Sequence, residues 1–121
     1  MKKIDRQKRI NDCLRLVDPS FKLVKDYVKP HVVNSPLHEL AKFLVAYTLM
    51  REGYEVYTEV RFKVGGRADV LVPELFRVIE VLNSESEEEC LKKVEKYPCE
   101  LEIINVEASK VLKQFLREVK K

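Results

Sequence analysis

Glycine is scarce in this chain: there are only three, Gly53 and the adjacent Gly65-Gly66. The pair resembles no phosphate-cradling loop and is adequately explained as a turn. Histidine and cysteine are also few. Two histidines, with Cys13, Cys90 and Cys99 at no metal-ligand spacing, argue against a structural zinc site. Three cysteines cannot all pair, so reduced thiols in a cytoplasmic protein are the simple reading. No apolar run approaches the roughly 20 residues that a membrane span requires. Residues 1–9 are polar and basic with no apolar run behind them, so no signal peptide is expected there. Internal repeats and low-complexity tracts are absent as well.

What remains is apolar and ionic together. Hydrophobic residues make up 45% of the 121 positions and charged residues 36%. A core can therefore form under a densely ionic surface, and the length suits one domain. Its expected parts are a basic helical extension over 1–34, a core over 35–106 and a closing helix over 107–121. The formal charge is only +3 but unevenly spread. Residues 1–30 hold nine Lys or Arg against four Asp, leaving −2 for the rest. Lys2, Lys3, Arg6, Lys8 and Arg9 lead that segment and suit contacts with DNA phosphates. A solvated helix face explains the same charges.

The periodicity predicts a helix over 4–17, with Ile4, Ile10, Leu14 and Val17 facing inwards and Asp18-Pro19 ending it. Ser35-Pro36 is a cap followed by proline at the first helical position, and Gly53 closes the helix that follows. That helix is apolar nearly all round, which predicts cover on several faces. Alternation over 55–64 predicts a strand, then a two-residue turn at Gly65-Gly66. Further strands are predicted over 67–72, 77–82 and 101–106. The capping box Ser84-x-x-Glu87 should open a helix reaching about residue 97, and another is predicted over 109–119. The fold class is α/β: a mixed four-stranded sheet made of a β-meander plus one parallel strand, flanked by helices.

Two acids stand inside apolar strands, Asp69 in Ala68-Asp69-Val70-Leu71-Val72 and Glu80 in Val78-Ile79-Glu80-Val81-Leu82. A four-residue turn at 73–76 pairs Val72 with Arg77 and so brings Asp69 opposite Glu80, with Cβ atoms about 5 Å apart. Two buried carboxylates that close repel unless something positive lies between them. A divalent cation, Mg²⁺ or Mn²⁺, satisfies them. Ion pairing with a neighbouring Arg or Lys is the alternative.

Gly66-Arg67-Ala68-Asp69-Val70 followed by Val78-Ile79-Glu80-Val81 resembles the PD-(D/E)xK nuclease core of restriction endonucleases and archaeal Holliday-junction resolvases. The resemblance runs over about residues 35–106, and it includes Glu39 near the start of the preceding helix and Glu52-Gly53-Tyr54 at its end. It implies a restriction-endonuclease-like fold and a metal site of Asp69, Glu80 and Glu39. The implied activity is metal-dependent DNA cleavage, in a family whose resolvases work as homodimers. The chain departs from the pattern at two positions. Leu82 stands where the family has a lysine, and Ala68 where it has a proline.

The inferred register places Arg67 opposite Leu82, on the face of Asp69 and Glu80, as a replacement cation. A plain salt bridge to either acid explains Arg67 too. Lys42 is a second candidate, and Lys63 a worse one because the two-residue turn sets it beside Ala68. His38 could reach a phosphate. Asn83, Ser84 and Ser86 lie where a phosphate could meet a helix start, and Lys92, Lys93, Lys96 and Tyr97 could line a DNA groove. The expectation is a metal-dependent DNA endonuclease, with a non-catalytic DNA-binding or assembly module on the same fold as the alternative.

Overall fold

The structure is a computed structural model that describes residues 3–83 and 87–119. Lys2, Ser84 and Ser86 lie outside the described residues, and so does the start of the expected capping box.

Four strands form one mixed sheet in the order β1 (Tyr57–Arg61), β2 (Arg67–Val72), β3 (Arg77–Leu82) and β4 (Glu102–Glu107). The first three are antiparallel neighbours, and β4 runs parallel to β3. Among the described residues, four helices surround the sheet: α1 (Lys3–Leu14), α2 (Pro36–Arg51), α3 (Glu87–Val94) and α4 (Ala108–Val119). Among the described residues no helix is long and apolar enough to cross a membrane.

Local chemistry explains most boundaries. Ser35 caps α2 as expected, its Oγ accepting the His38 amide at 3.1 Å with Pro36 just inside. Gly53 turns the chain out with φ of +96°. Pro73–Leu75 make a short 3-10 turn, and Phe76 completes it in the left-handed region. The β2–β3 register is the expected one: Val72 pairs with Arg77, Leu71 with Val78 and Val70 with Ile79.

Several expectations are corrected. α1 stops at Leu14, because Val17 leaves the helix to bridge Phe62 and the Lys63 amide donates to the Leu16 carbonyl. Ile4 is 84% exposed, whereas Cys13 lies in the core beside Ile10 and Val17. Gly65-Gly66 do not form a two-residue turn. Arg61 pairs with Arg67, and residues 62–66 make a five-residue loop. Phe62, buried against Tyr97 and bridged to Val17, still donates its amide to the Gly66 carbonyl, and its own carbonyl accepts the Gly65 amide to close the turn. The residue opposite Ala68 is Val60, not Lys63. α2 is covered by the sheet and by α4, but one stripe stays open, leaving Leu40, Phe43 and Tyr47 about half exposed. α3 ends at Val94, three residues before the expected limit.

The two sheet faces carry separate cores. Cys13, Val17, Val60, Phe62, Leu71, Val78 and Tyr97 fill one. Ala46, Val56, Val70, Val72 and Ile79 fill the other, under α2, continued by Ala41, Val81 and Ala108. The segment over 26–29, before α2, covers the open edge of β1. Asp26 donates its amide to the Val56 carbonyl, and the Lys29 amide donates to Thr58 Oγ1.

Glu59 interrupts the alternation of β1. Its φ is +53°, a left-handed conformation inside a strand, costing about 1–3 kcal/mol for a residue with a side chain. Tyr57 and Val60, on either side of it, consequently face the same core. Glu59 itself is 4% exposed and points its carboxylate towards α2 and Arg67.

Candidate active site at the open end of the β2–β3 hairpin

The β2–β3 ladder extends to Val70 and Ile79, and the next step brings Asp69 against Glu80. There the Asp69 side chain replaces a backbone acceptor: its Oδ2 accepts the Val81 amide at 2.8 Å. Both acids are buried, Asp69 at 4% and Glu80 at 1% exposure. Burial and the Asp69 charge push the Glu80 carboxyl well above the usual carboxylate range. Burial also works against the Asp69 anion, but hydrogen bonds from His38, Glu80 and the Val81 amide, with the Lys93 charge, outweigh it and hold Asp69 low. At neutral pH the pair therefore keeps one proton, on Glu80, donated towards Asp69.

α3 and the turn after it satisfy Glu80. Lys93 Nζ lies 3.2 Å from Glu80 Oε2, and the Tyr97 hydroxyl contacts Oε1. The same hydroxyl lies 2.6 Å from the Arg67 carbonyl oxygen. Lys93 lies in the last turn of α3 and Tyr97 three residues beyond its end, and both reach Glu80. Gly66 is what allows the tyrosine ring in: a Cβ there would sit 2.5 Å from Tyr97 Cε1.

His38 joins the pair to α2. Its Nε2 lies 3.4 Å from Asp69 Oδ2 and its Nδ1 lies 3.3 Å from Glu39 Oε2. The hydrogen bond to Asp69 raises the His38 pKa, with burial opposing and the Asp69 and Glu39 charges assisting. The two ring nitrogens thus bridge two carboxylates, a setting that favours the charged form of the ring.

Behind it runs a closed circuit of ion pairs. Lys42, 1% exposed, donates from Nζ to the Lys29 carbonyl at 2.7 Å and pairs with Glu39 Oε2 at 2.8 Å and Glu59 Oε1 at 2.9 Å. Arg67 Nε pairs with Glu59 Oε2 at 3.0 Å, and Arg67 Nη2 donates to His31 Nε2 at 2.8 Å. The His31 amide then donates to Glu39 Oε1, returning to the start. Burial penalises the Glu39 carboxylate, but donors on Lys42, His31 and Asn34 lower its pKa regardless.

The site residues expected from the sequence thus fall into two groups. Asp69 and Glu80 meet, and His38 touches Asp69. Glu39 is linked to them through His38, while its oxygens face Lys42, Asn34 and the His31 amide. Arg67 pairs with Glu59 rather than with either central acid. Among the described residues, no three His, Cys, Asp or Glu side chains are gathered as a ready ligand set. Two adjacent hard-oxygen donors still fit Mg²⁺ or Mn²⁺, ions that complete their shells with water and phosphate. Binding would displace the shared proton.

Sequence reasoning missed the partners of Glu80. Lys93 and Tyr97 stood out only as groove residues, and their four-residue spacing was the available signal. Nothing in the alternation of β1 marked Glu59. The basic N-terminal segment also has internal roles. Arg6 Nη2 donates to the Gly53 carbonyl at 2.7 Å and pairs with Glu74 at 3.0 Å. Arg9 donates to the Glu74 carbonyl at 2.8 Å and lies over the Phe76 ring. Lys3 and Lys8 are exposed. Compared with known proteins, the chain matches no family model, no curated protein and no solved structure.

Proposed function

We propose that this chain is a metal-dependent DNA endonuclease with the restriction-endonuclease-like core its sequence resembles. The observation that carries this reading is the Lys93 ammonium on Glu80, beside Asp69. It puts a cation at the acid pair of a chain that has Leu82 where the resembled pattern has lysine. Asp69 and Glu80 would hold Mg²⁺ or Mn²⁺, with Glu39 behind them through His38. When bound, such an ion supplies Lewis acidity towards a phosphodiester and offsets its charge. The chain supplies the rest. His38 fixes the direction of Asp69, Tyr97 fixes that of Glu80, and Lys93 offers positive charge to a phosphate whose charge grows during hydrolysis. Lys3 and Lys8 would add salt-sensitive backbone contacts.

The test is cleavage of labelled duplex, single-stranded and four-way-junction DNA with Mg²⁺ or Mn²⁺. Cutting that Asp69→Asn and Glu80→Gln abolish is the expected result. DNA binding without cutting, indifferent to both substitutions, would replace it with the second reading, a non-catalytic DNA-binding or assembly module. One observation favours that second reading: each central carboxylate already has protein partners, Asp69 even serving as a ladder acceptor.

A further inference from the structure

The circuit of Lys42, Glu39, Glu59, Arg67 and His31 is more than the acid pair requires. It encloses a lysine at 1% exposure and depends on a strained Glu59, yet it leaves one cation partly open. The Arg67 side chain is 37% exposed. A guanidinium carries five N–H donors. The contacts above use two, Nε–H to Glu59 and one Nη2–H to His31. The unused fork is fixed in direction, because Glu59 is itself held by Lys42. His31 adds a donor. Arginine never accepts, so His31 Nε2 must be the acceptor, and the neutral ring carries its proton on Nδ1. Of the carboxylates that would repel an anion, Glu39 pairs with Lys42, and Glu59 is shared between Lys42 and Arg67 itself.

We propose that Arg67 and His31 form a phosphate receptor, with Glu59 and Lys42 as positioning residues that hold its guanidinium ready. A planar fork with a second N–H donor suits the oxygens of a phosphate better than a single point charge does. Arg67 precedes Asp69 by two residues on β2, and the Tyr97 hydroxyl touches both the Arg67 carbonyl and Glu80. Its ligand is a phosphate group, either on a nucleic-acid strand or free. The receptor needs no bound metal and no cleavage, so it stands or falls apart from the nuclease reading.

The experiment is a titration of ¹⁵N-labelled protein, without divalent cations, following the Arg67 Nε–Hε signal and the His31 ring. One arm adds inorganic phosphate and the other a short DNA strand. Saturable shifts of both signals are expected with phosphate. Arg67→Lys should bind roughly tenfold more weakly, and Arg67→Met should lose the response. Glu59→Gln, checked for an unchanged amide spectrum elsewhere, should also weaken binding, because the guanidinium loses the carboxylate that holds it. Competition between phosphate and the strand identifies nucleic acid as the source, and a strand that leaves both signals unmoved identifies free phosphate. Unmoved signals in the phosphate arm, or equal phosphate affinity in Arg67→Met, overturn the receptor. Equal affinity in Glu59→Gln overturns the positioning role.

Discussion

Lys93 reaches Glu80 from a helix, while the position two residues along Glu80's own strand holds Leu82. If charge at the acid pair is what cleavage needs, its origin in the chain should not matter. Lys93→Met is expected to slow cleavage about a hundredfold or more. Adding Leu82→Lys to that variant should restore a large part of the rate. A double variant as slow as Lys93→Met would show that the ammonium's place in the chain matters, or that Lys93 is only a surface partner. Protonation gives a separate handle. Glu80 is pushed up to about 8, first by burial and then by the Asp69 charge. An unfolded Glu titrates near about 4.3. Between those values the folded chain holds a proton that the unfolded chain releases. The stability from neutral Glu80 is therefore complete at low pH and is lost as pH rises towards about 8. Melting temperatures measured across that window should fall in the wild type and flatten in Glu80→Gln. Parallel curves would dispose of the shared proton.

Elements differ in how openly the sequence announced them. α2 was legible because Ser35, Pro36 and Gly53 are local signals acting on their own neighbours. The β2–β3 register was legible because a four-residue turn leaves one pairing, and Asp69 against Glu80 followed from counting. The β1–β2 connection was not. Phe62 answers to Val17 and Tyr97, both far away in sequence, and a glycine pair that looked like a hairpin turn is part of a longer loop. The same distance hid the partners of Glu80. Gly66 reports on this packing. Gly66→Ala should lower stability by about 1–3 kcal/mol, because its methyl group meets the Tyr97 ring. Gly53→Ala has comparable backbone strain, with φ of +96°, but nothing within 4 Å. Denaturation midpoints of the two variants separate the collision from the strain. Cleavage should fall only in Gly66→Ala, where Tyr97 is displaced from Glu80.

For the molecule as a whole, the basic N-terminus mixes cations with internal partners and cations that face solvent, which composition cannot separate. Arg6 and Arg9 fasten α1 to the turn between β2 and β3, so Ala substitutions there should lower the melting temperature. Lys3 and Lys8 face solvent. Their replacement should leave melting unchanged and reduce DNA affinity, with a shallower dependence on salt. A divalent cation that binds only the folded chain should raise the melting temperature of the wild type and not of Asp69→Asn. An equal rise in both would place the ion elsewhere.

The parallel pairing of β4 with β3 has a consequence in time. The β1–β3 meander closes from neighbouring residues, so the pairing that brings Asp69 and Glu80 together is expected to form first. Lys93 and Tyr97 belong to the crossover that must wrap round before β4 can dock, a slower, long-range event. Until then two acids face each other with no cation from α3. The full set of contacts around Asp69 and Glu80 is thus tied to the docking of β4, and under the proposed function a chain halted before that stage would not cleave.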